Sequence, residues 1–287
     1  RAGLIALDQM EGENLTRESV VALLDTDDEP LRTAALDVIS RHEGWVSGTL
    51  SLLGGWLRDD HLAPEKTSMI RGLLRVQASD ESVQKLVADM LGDLKLPQTS
   101  RLLLLEVVAE SGLPELPESW GMRLRAGFYS DDPAVRHQTV RTVAAFGTAA
   151  FDDLLRELVH DDQQSAELRI DALAASAGRR TEVSDGELTF LVRQMADDAD
   201  PLRKLAAAKT VVQLPLSGTQ RFNIAEQLGM SGPLTAGVLL REFSIDLNGN
   251  LTLAVLKSLE ALPDGVRLPK PELLAFLEST PEPLRAS

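Results

Sequence analysis

One short pattern recurs along the chain, and it limits the fold more than any other feature of the sequence. An apolar residue precedes an arginine, a small residue stands three positions after that arginine, and an apolar residue or alanine stands four positions after it. In three of the four clear copies, an aspartate and a proline come just before. The four copies centre on Arg32, Arg136, Arg169 and Arg203. Repetition of this kind predicts a fold built from similar consecutive units.

Weaker copies of the pattern extend the series. They can be placed at Arg71, Arg101 and Arg241, which gives successive spacings of 39, 30, 35, 33, 34 and 38 residues. An interval of this length accommodates two helices and their turns but not a separate hydrophobic core. We therefore expect stacked helix pairs that share one continuous core.

Each position of the pattern has a physical cause. An aspartate before a helix accepts hydrogen bonds from free backbone N–H groups and favours the positive end of the helix dipole. Pro30, Pro133 and Pro201 suit the first helical turn, where a missing N–H group costs nothing. The small residue lets a neighbouring helix approach closely. The pattern therefore predicts the start of the first helix in each pair.

Second helices are predicted between these copies. Apolar residues recur with helical periodicity over 16–25, 81–94, 149–160 and 185–196. Ser184 and Glu187 have the spacing of a capping box at the start of the last of these helices. Gly147 and Gly178 are expected to end first helices, because glycine is common just after a helix. The chain is thus predicted to be helical almost throughout.

The predicted fold class is all-α, as an α-solenoid of about seven helical hairpins. We expect clear repeats over residues 1–215 and a divergent continuation of the same solenoid over 216–287. A globular all-α bundle is the alternative. The chain starts within an apolar helical pattern and stops in a proline-marked turn, so we also expect a domain excised from a longer protein.

The Asp-x-Pro-x-x-Arg-x-x-Ala pattern resembles HEAT repeats of the short bacterial type. The order of segments also resembles the helical-repeat region of large membrane-bound dehydrogenase and c-type cytochrome proteins of planctomycetes. The segments that carry this narrower resemblance are 1–10, 116–120, 231–234 and 239–243. In that family a propeller-like domain precedes the repeats and a haem-binding domain follows them, and the resemblance implies a compartment outside the cytoplasm. Without it, the cytoplasm is equally compatible with the composition.

Composition excludes several classes of function. The 287 residues carry a formal charge of −15, which disfavours a duplex nucleic-acid binder because such proteins need a basic face. The sequence has no cysteine, so disulfides, thiolate metal sites, covalent haem attachment and cysteine nucleophiles are excluded. Its longest apolar runs are too short to span a bilayer, since about 18 residues are needed. No cofactor and no membrane span are therefore expected.

Catalytic motifs are not found in the sequence. His42, His61, His137 and His160 lie in different predicted units, which argues against a shared metal site. The serine, glycine and dinucleotide-binding motifs of hydrolases, phosphate-binding loops and dehydrogenases do not occur in the required context. The oxygen-bearing run 246–250 faintly suggests a calcium loop, but a turn before a helix fits better because Lys257 stands where a glutamate ligand belongs.

Aspartates concentrate in the predicted turns before first helices, and equivalent turns of a solenoid lie along one edge. Helix capping and solubility explain such an acidic edge, and docking of a basic partner or of divalent cations is the functional alternative. The candidate partner-binding residues are Asp131, Asp132, Asp161, Asp162, Asp198 and Asp200.

Arginines and tryptophans admit two interpretations as well. Arg32, Arg136, Arg169 and Arg203 either bond to neighbouring aspartates and carbonyls or line an anion-binding groove. The tryptophans (45, 56 and 120) either fill gaps between irregular repeats or anchor a partner.

The sequence thus favours a non-catalytic scaffold that binds a protein partner or spaces neighbouring domains of a larger, redox-related protein. The alternative is a HEAT-like enzyme or ligand-binding module of the bilin lyase or glycosylase type. A glycosylase of that kind needs a basic groove, which the negative charge disfavours.

Overall fold

The computed structural model describes residues 2–9, 15–26, 28–42, 44–196, 200–228, 233–243, 249–260 and 270–280. Within these ranges every regular element is a helix, and no strand is present. The predicted all-α fold class is therefore confirmed for these residues. The chain divides into two compact units, Arg1–Phe146 and Gly147–Ser287, and each is described by itself.

The first unit contains nine α-helices among its described residues, with a short 3-10 helix at Leu23–Asp25 after the second. Their bounds are α1 (Ala2–Gln9), α2 (Arg17–Ala22), α3 (Glu29–Arg41), α4 (Val46–Leu57), α5 (Pro64–Val76), α6 (Glu81–Gly92), α7 (Gln98–Ala109), α8 (Glu118–Gly127) and α9 (Pro133–Phe146).

The second unit opens with a 3-10 helix at Ala149–Phe151 and contains eight α-helices among its described residues. Their bounds are α10 (Asp152–His160), α11 (Ala166–Ala177), α12 (Asp185–Gln194), α13 (Pro201–Gln213), α14 (Gly218–Gln227), α15 (Pro233–Phe243), α16 (Gly249–Glu260) and α17 (Lys270–Ser279).

Helix starts follow the chemistry expected from the sequence. The carboxylate of Asp28 accepts a hydrogen bond from the Leu31 N–H at 3.0 Å, at the start of α3. Ser184 and Glu187 form the predicted capping box at the start of α12. A second capping box, between Ser217 and Gln220, starts α14 and was not predicted. These side chains fix the first residue of each helix because they bond N–H groups that the helix itself leaves free.

Helix ends agree with prediction in position but not always in conformation. Gly147 follows α9 with a φ of 60°, the left-handed conformation that favours glycine. Gly178 follows α11 as predicted, but its φ is −67°, so the backbone there would accept any residue. The second helices predicted over 81–94 and 185–196 end two residues early, at Gly92 and Gln194.

The helices of the first unit form two rows. Each odd-numbered helix from α3 to α9 packs against the next odd-numbered helix, and each even-numbered helix from α2 to α8 packs against the next even-numbered one. Contacts of α2 with α3, α6 with α7 and α8 with α9 join the rows. We call these the odd row and the even row.

The same alternation occurs within the second unit. Its odd row runs from α11 through α13 and α15 to α17, and its even row from α12 through α14 to α16. The rows are joined where α12 packs against α13, and α10 packs against α11. Consecutive helix pairs are therefore the packing unit in both parts of the chain.

Apolar side chains from both rows fill the core of each unit. Trp120, Leu104 and Ile70 are fully buried in the first unit, and Phe151 and Phe276 in the second. Burying a side chain of this size stabilises a fold by about 1.5–3 kcal/mol. The rows come closest at Gly127, where an added Cβ would collide with the Thr139 side chain. This contact requires a glycine because α8 and α9 leave no space between them.

Polar contacts connect each helix pair to the next at a constant sequence interval. In the first unit, the indole of Trp120 donates to the carbonyl oxygen of Gln84, 36 residues earlier, and the Thr142 hydroxyl donates to the Leu105 carbonyl oxygen, 37 residues earlier. In the second unit, the Gln220 side-chain amide donates to the Val183 carbonyl oxygen, also 37 residues earlier. The interval is that of the sequence repeat.

No helix among the described residues is both long and apolar enough to cross a membrane.

Candidate functional site

The predicted acidic residues lie where the sequence placed them, in turns before odd-row helices. Asp200 accepts hydrogen bonds from the Leu202 N–H at 2.9 Å and the Arg203 N–H at 3.2 Å. Asp132 accepts one from the Ala134 N–H at 2.9 Å. Both carboxylates therefore cap a helix, whatever else they do.

The other predicted acidic residues differ in their contacts. Asp161 accepts a hydrogen bond from the Gln163 N–H at 2.9 Å, and Asp162 pairs with Arg169 at 2.7 Å. Asp131 is exposed at the surface. Asp198 lies outside the described residues. The carboxylates of this set thus range from helix-capping to solvent-facing groups.

Within the first unit, neighbouring turns of this kind are bonded to one another. Arg58 Nε lies 3.2 Å from the carboxylate of Asp93, and the Gln98 amide donates to Asp132 at 2.6 Å. The turns before α5, α7 and α9 are therefore consecutive along one edge. The backbone N–H of Lys95, together with Arg58, holds the pKa of Asp93 below its ordinary value, so this carboxylate stays ionised.

The second unit holds Asp161, Asp162 and Asp200. These residues precede α11 and α13, which pack against each other. A contact also connects the first turns of these helices, since Arg203 Nε lies 2.9 Å from Glu167 Oε1. Each unit thus has its own acidic edge.

The repeated arginines bond to backbone carbonyl groups near the end of the preceding helix. Arg32 donates to the Thr26 carbonyl oxygen at 3.1 Å, Arg136 to that of Ser130 at 2.5 Å, and Arg169 to that of Val159 at 2.9 Å. Arg101, a weaker copy, donates to the Leu91 and Asp93 carbonyl oxygens, both at 2.7 Å. These guanidinium groups satisfy carbonyl groups that a helix end leaves free.

The other copies occupy different positions in their helices. Arg203 is the third residue of α13, whereas Arg32, Arg136 and Arg169 are the fourth residues of theirs. Leu202 is consequently 77% exposed, although its counterparts Val135 and Leu168 are buried. Arg71 and Arg241 lie in the second half of α5 and α15, one turn or more beyond the repeated position.

The repeated prolines sit at helix starts. Pro30 and Pro201 occupy the first two positions of α3 and α13, and Pro133 is the first residue of α9. All three are exposed, so their role is to start the helix and not to fill the core.

A groove lies between α3 and α5, in the odd row of the first unit. Its cavity volume is about 540 Å³. Leu36, Met69, Leu73 and Val76 supply its apolar lining, and Gly72 leaves the middle of α5 uncovered. Charged side chains from both helices border it: Glu29, Arg32, Asp37 and Glu65.

A more polar cavity of about 650 Å³ lies in the second unit, beside α11 and α12. Arg169 lies against it, stacked over the Phe190 ring at 4.2 Å and paired with Asp162. Arg193, Asp162 and Asp185 also line it. Two arginines and two aspartates leave this cavity without a dominant charge.

Histidines do not converge. His42 Nε2 lies 2.6 Å from Asp8 Oδ1, and its ring stacks on Trp45 at 4.2 Å, so this histidine joins α1 to the end of α3. His160 Nδ1 bonds to the Arg156 carbonyl oxygen of its own helix at 2.8 Å. In the part of the chain that the structure describes, no group of three or more histidine, aspartate or glutamate side chains is placed to hold a metal ion.

Comparison with known proteins gives no family: no family model matches the chain, and no curated protein matches it.

The α3–α5 groove was missed by sequence reasoning. Its lining residues recur at helical spacing on each helix, as Glu65, Met69, Gly72 and Val76 do on α5. Core-facing stripes show the same spacing, so periodicity alone does not reveal that this one borders open space. The readable signal was Gly72, since a glycine within a helix weakens it by about 1 kcal/mol relative to alanine.

Proposed function

We propose that the chain is a non-catalytic HEAT-like repeat scaffold, an α-solenoid whose exposed odd-row surface binds a protein partner or a neighbouring domain. The observation that carries this proposal is the interval of the long-range polar contacts. Each connects residues one helix pair apart, from 32 residues for Ser258 and Glu226 to 37 for Gln220 and Val183. Repeats joined only to their neighbours make extended surfaces, which are the usual binding surfaces of solenoid proteins.

Side chains at the repeated positions support the same proposal. The arginines and aspartates that carry the sequence pattern are engaged in helix capping and carbonyl bonding. Their chemistry is thereby used to build the repeat, which leaves recognition to residues that vary between repeats. The α3–α5 groove is made of such residues.

A selection experiment tests the proposal. The full chain is immobilised and exposed to a displayed library of random peptides about 15 residues long, and enriched peptides are synthesised and titrated against the folded chain in solution. We expect saturable binding of equal stoichiometry that disappears when the chain is unfolded in urea. If no enriched peptide binds the folded chain saturably, the scaffold proposal is wrong.

The alternative of a ligand-binding module has its own readout. A linear tetrapyrrole is titrated into the full chain while its visible absorption spectrum is recorded. We expect no saturable spectral change. A shifted spectrum with a defined stoichiometry would contradict the proposal in favour of a bilin-binding module.

A further inference from the structure

We infer that the α3–α5 groove binds a basic amphipathic helix of a partner protein. This inference rests on the proposed scaffold function and names the partner chemistry for one site. The two walls of the groove, the floor between them and the charges along its border each contribute to the assignment.

The walls of the groove are the exposed faces of two neighbouring odd-row helices. On α5 the lining residues Glu65, Met69, Gly72 and Val76 fall on one helical face, at intervals of three or four residues. On α3 they run from Glu29 to Asp37 with the same spacing. A groove bordered by about 9 residues of one helix and 13 of the other extends over roughly 14–20 Å, at about 1.5 Å per helical residue. That length accommodates about three turns of a partner helix.

The floor of the groove is apolar and accessible. Val76 is 63% exposed, and Leu36 and Met69 are half-buried, while Leu73 beneath them is buried. A cavity of about 540 Å³ lies within the range of volumes at which proteins bind ligands. A helix that lays its apolar face into such a groove removes these side chains from water, which is the driving force in this mode of recognition.

Gly72 keeps the middle of the groove open. A Cβ placed on this residue would meet no other atom within 4 Å. A side chain here would therefore project into the groove without disturbing α5 or its neighbours. Glycine at this position allows a partner side chain to reach the backbone of α5.

The border charges select the sign of the partner. Glu29, Asp37 and Glu65 are acidic, and Arg32 is the one basic residue among the described lining residues. The Arg32 guanidinium already donates to the Thr26 carbonyl oxygen. Glu29 and Glu65 are exposed carboxylates in the first turns of α3 and α5. An excess of acidic groups around an apolar floor complements lysine or arginine residues that flank an apolar stripe.

The opposite side of α5 shows how the odd row closes elsewhere. Arg71 Nη2 lies 2.5 Å from Glu106 Oε2 of α7, and Arg75 Nη1 lies 3.8 Å from Glu110 Oε2. These ion pairs cover the contact between α5 and α7. On the α3 side, α5 instead presents a methionine, a glycine and a valine to an open cavity.

A pair of designed peptides tests the inference on the full chain. Both are about 14 residues long with leucine at helical spacing, and the remaining positions carry lysine in one and glutamate in the other. Binding is followed by the fluorescence anisotropy of a labelled peptide. We expect the lysine peptide to bind at least about 10-fold more tightly than the glutamate peptide, with affinity that falls as salt is added.

Two substitutions locate the binding in the groove. Gly72→Phe fills the groove, and its control is Gly55→Phe, since Gly55 is an exposed glycine in α4 whose Cβ would also meet no atom within 4 Å. Val76→Lys adds a positive charge to the groove, and its control is Leu94→Lys at a residue 96% exposed in a turn. We expect each groove variant to weaken binding of the lysine peptide at least about 10-fold and each control to change it less than about 2-fold. Far-UV circular dichroism verifies that all four variants fold.

The inference is overturned if the lysine peptide does not bind, if the glutamate peptide binds equally well, or if the controls weaken binding as much as the groove variants. Equal loss in groove and control variants would indicate non-specific attraction to the acidic chain. None of these results contradicts the scaffold function, because that proposal fails only if no selected peptide binds the folded chain.

Discussion

The indole N–H of Trp120 donates to the carbonyl oxygen of Gln84 at 2.9 Å, so a side chain of α8 is bonded to the backbone of α6. Trp120 is fully buried, and it is among the largest buried side chains of the chain. Packing and hydrogen bonding therefore act at the same residue, where consecutive helices of the even row meet. Of the two interpretations that the sequence left open for this tryptophan, the geometry is that of a gap-filling residue.

Replacement of Trp120 measures this contact. Trp120→Phe removes the donor and leaves a space beside the ring, so we expect the free energy of unfolding of the first unit to fall by about 1–3 kcal/mol. Urea unfolding followed by circular dichroism provides the measurement. Met122→Leu in the same helix is the control, because Met122 is 60% exposed and its replacement is expected to change stability by less than about 0.5 kcal/mol. Equal stability of Trp120→Phe and the parent chain would contradict the assignment.

Two glycine-to-alanine substitutions are expected to have opposite effects. Gly72→Ala adds a methyl group in open space within α5, and we expect it to stabilise the first unit by up to about 1 kcal/mol because alanine favours helix. Gly127→Ala drives a methyl group into the Thr139 side chain, and we expect a loss of about 1–3 kcal/mol from overpacking. Thermal unfolding of both variants under the same conditions checks the signs. Destabilisation by Gly72→Ala would show that this position is not open.

Glu187 makes the second unit sensitive to acid. Burial raises the pKa of this carboxyl group, but the backbone N–H of Ser184 and the Arg180 guanidinium, 2.5 Å away, outweigh burial and hold its pKa below the ordinary 4.5. The carboxylate therefore contributes stability that is fully present above about pH 4.5 and is lost as the pH falls through the lower pKa of the folded state.

The variant Glu187→Gln isolates this contribution. We expect it to lower the free energy of unfolding at neutral pH by about 1.5–3 kcal/mol, because the Arg180 guanidinium loses its charged partner. The difference between variant and parent should shrink as the pH falls below about 4.5. Urea titrations at several pH values measure it. A difference that is independent of pH would mean that the ionised carboxylate is not what stabilises this contact.

The acidic edge separates into capping and exposed carboxylates. Asp200→Ala removes the cap of α13, and we expect a loss of about 1 kcal/mol, whereas Asp200→Asn should retain most of the stability because asparagine also caps helices. Asp131→Ala, at an exposed residue, should change stability by less than about 0.5 kcal/mol. Chemical unfolding of the three variants distinguishes the roles. If Asp131→Ala is as costly as Asp200→Ala, this division is wrong.

Simultaneous replacement of Asp131, Asp132, Asp161 and Asp162 by asparagine tests the edge as a docking surface. We expect basic peptides selected on the full chain to bind this variant several-fold more weakly at low salt, with a difference that disappears at high salt because the attraction is screened. Anisotropy titrations at two salt concentrations provide the measurement. Unchanged binding would leave these aspartates with a structural role alone.

Local signals in the sequence predicted much of the helical structure. The capping box of Ser184 and Glu187 and the helix end at Gly147 are where they were predicted, because each depends only on residues within a few positions. The same type of signal at Ser217 and Gln220 was present but not used. Helix boundaries are therefore the part of this fold that the sequence encodes most directly.

Register errors arose where the pattern was aligned on the wrong residue. Alignment on Arg203 placed Leu202 among the apolar contact residues, but Asp200 caps α13 one residue closer to the arginine than in the other copies. Lys204 consequently occupies the fourth position, and Leu202 faces solvent. The capping aspartate is the better reference, because it determines where the helix starts.

Features that depend on packing between distant helices were not predictable in this way. The bond from Thr142 to Leu105 has a backbone carbonyl as its acceptor, and every residue carries one. The groove between α3 and α5 depends on how far two helices separate, which no local motif specifies. Exposure of Val76 and the free space at Gly72 follow from that separation.

The constant interval of the polar contacts has a mechanical consequence. Because each contact extends only to the adjoining helix pair, tension applied along the chain would be borne by these bonds one after another, as in a spring made of separate coils. We expect each unit to stretch elastically under small forces, before any pair detaches. A domain with that property transmits force between whatever is attached at its two sides.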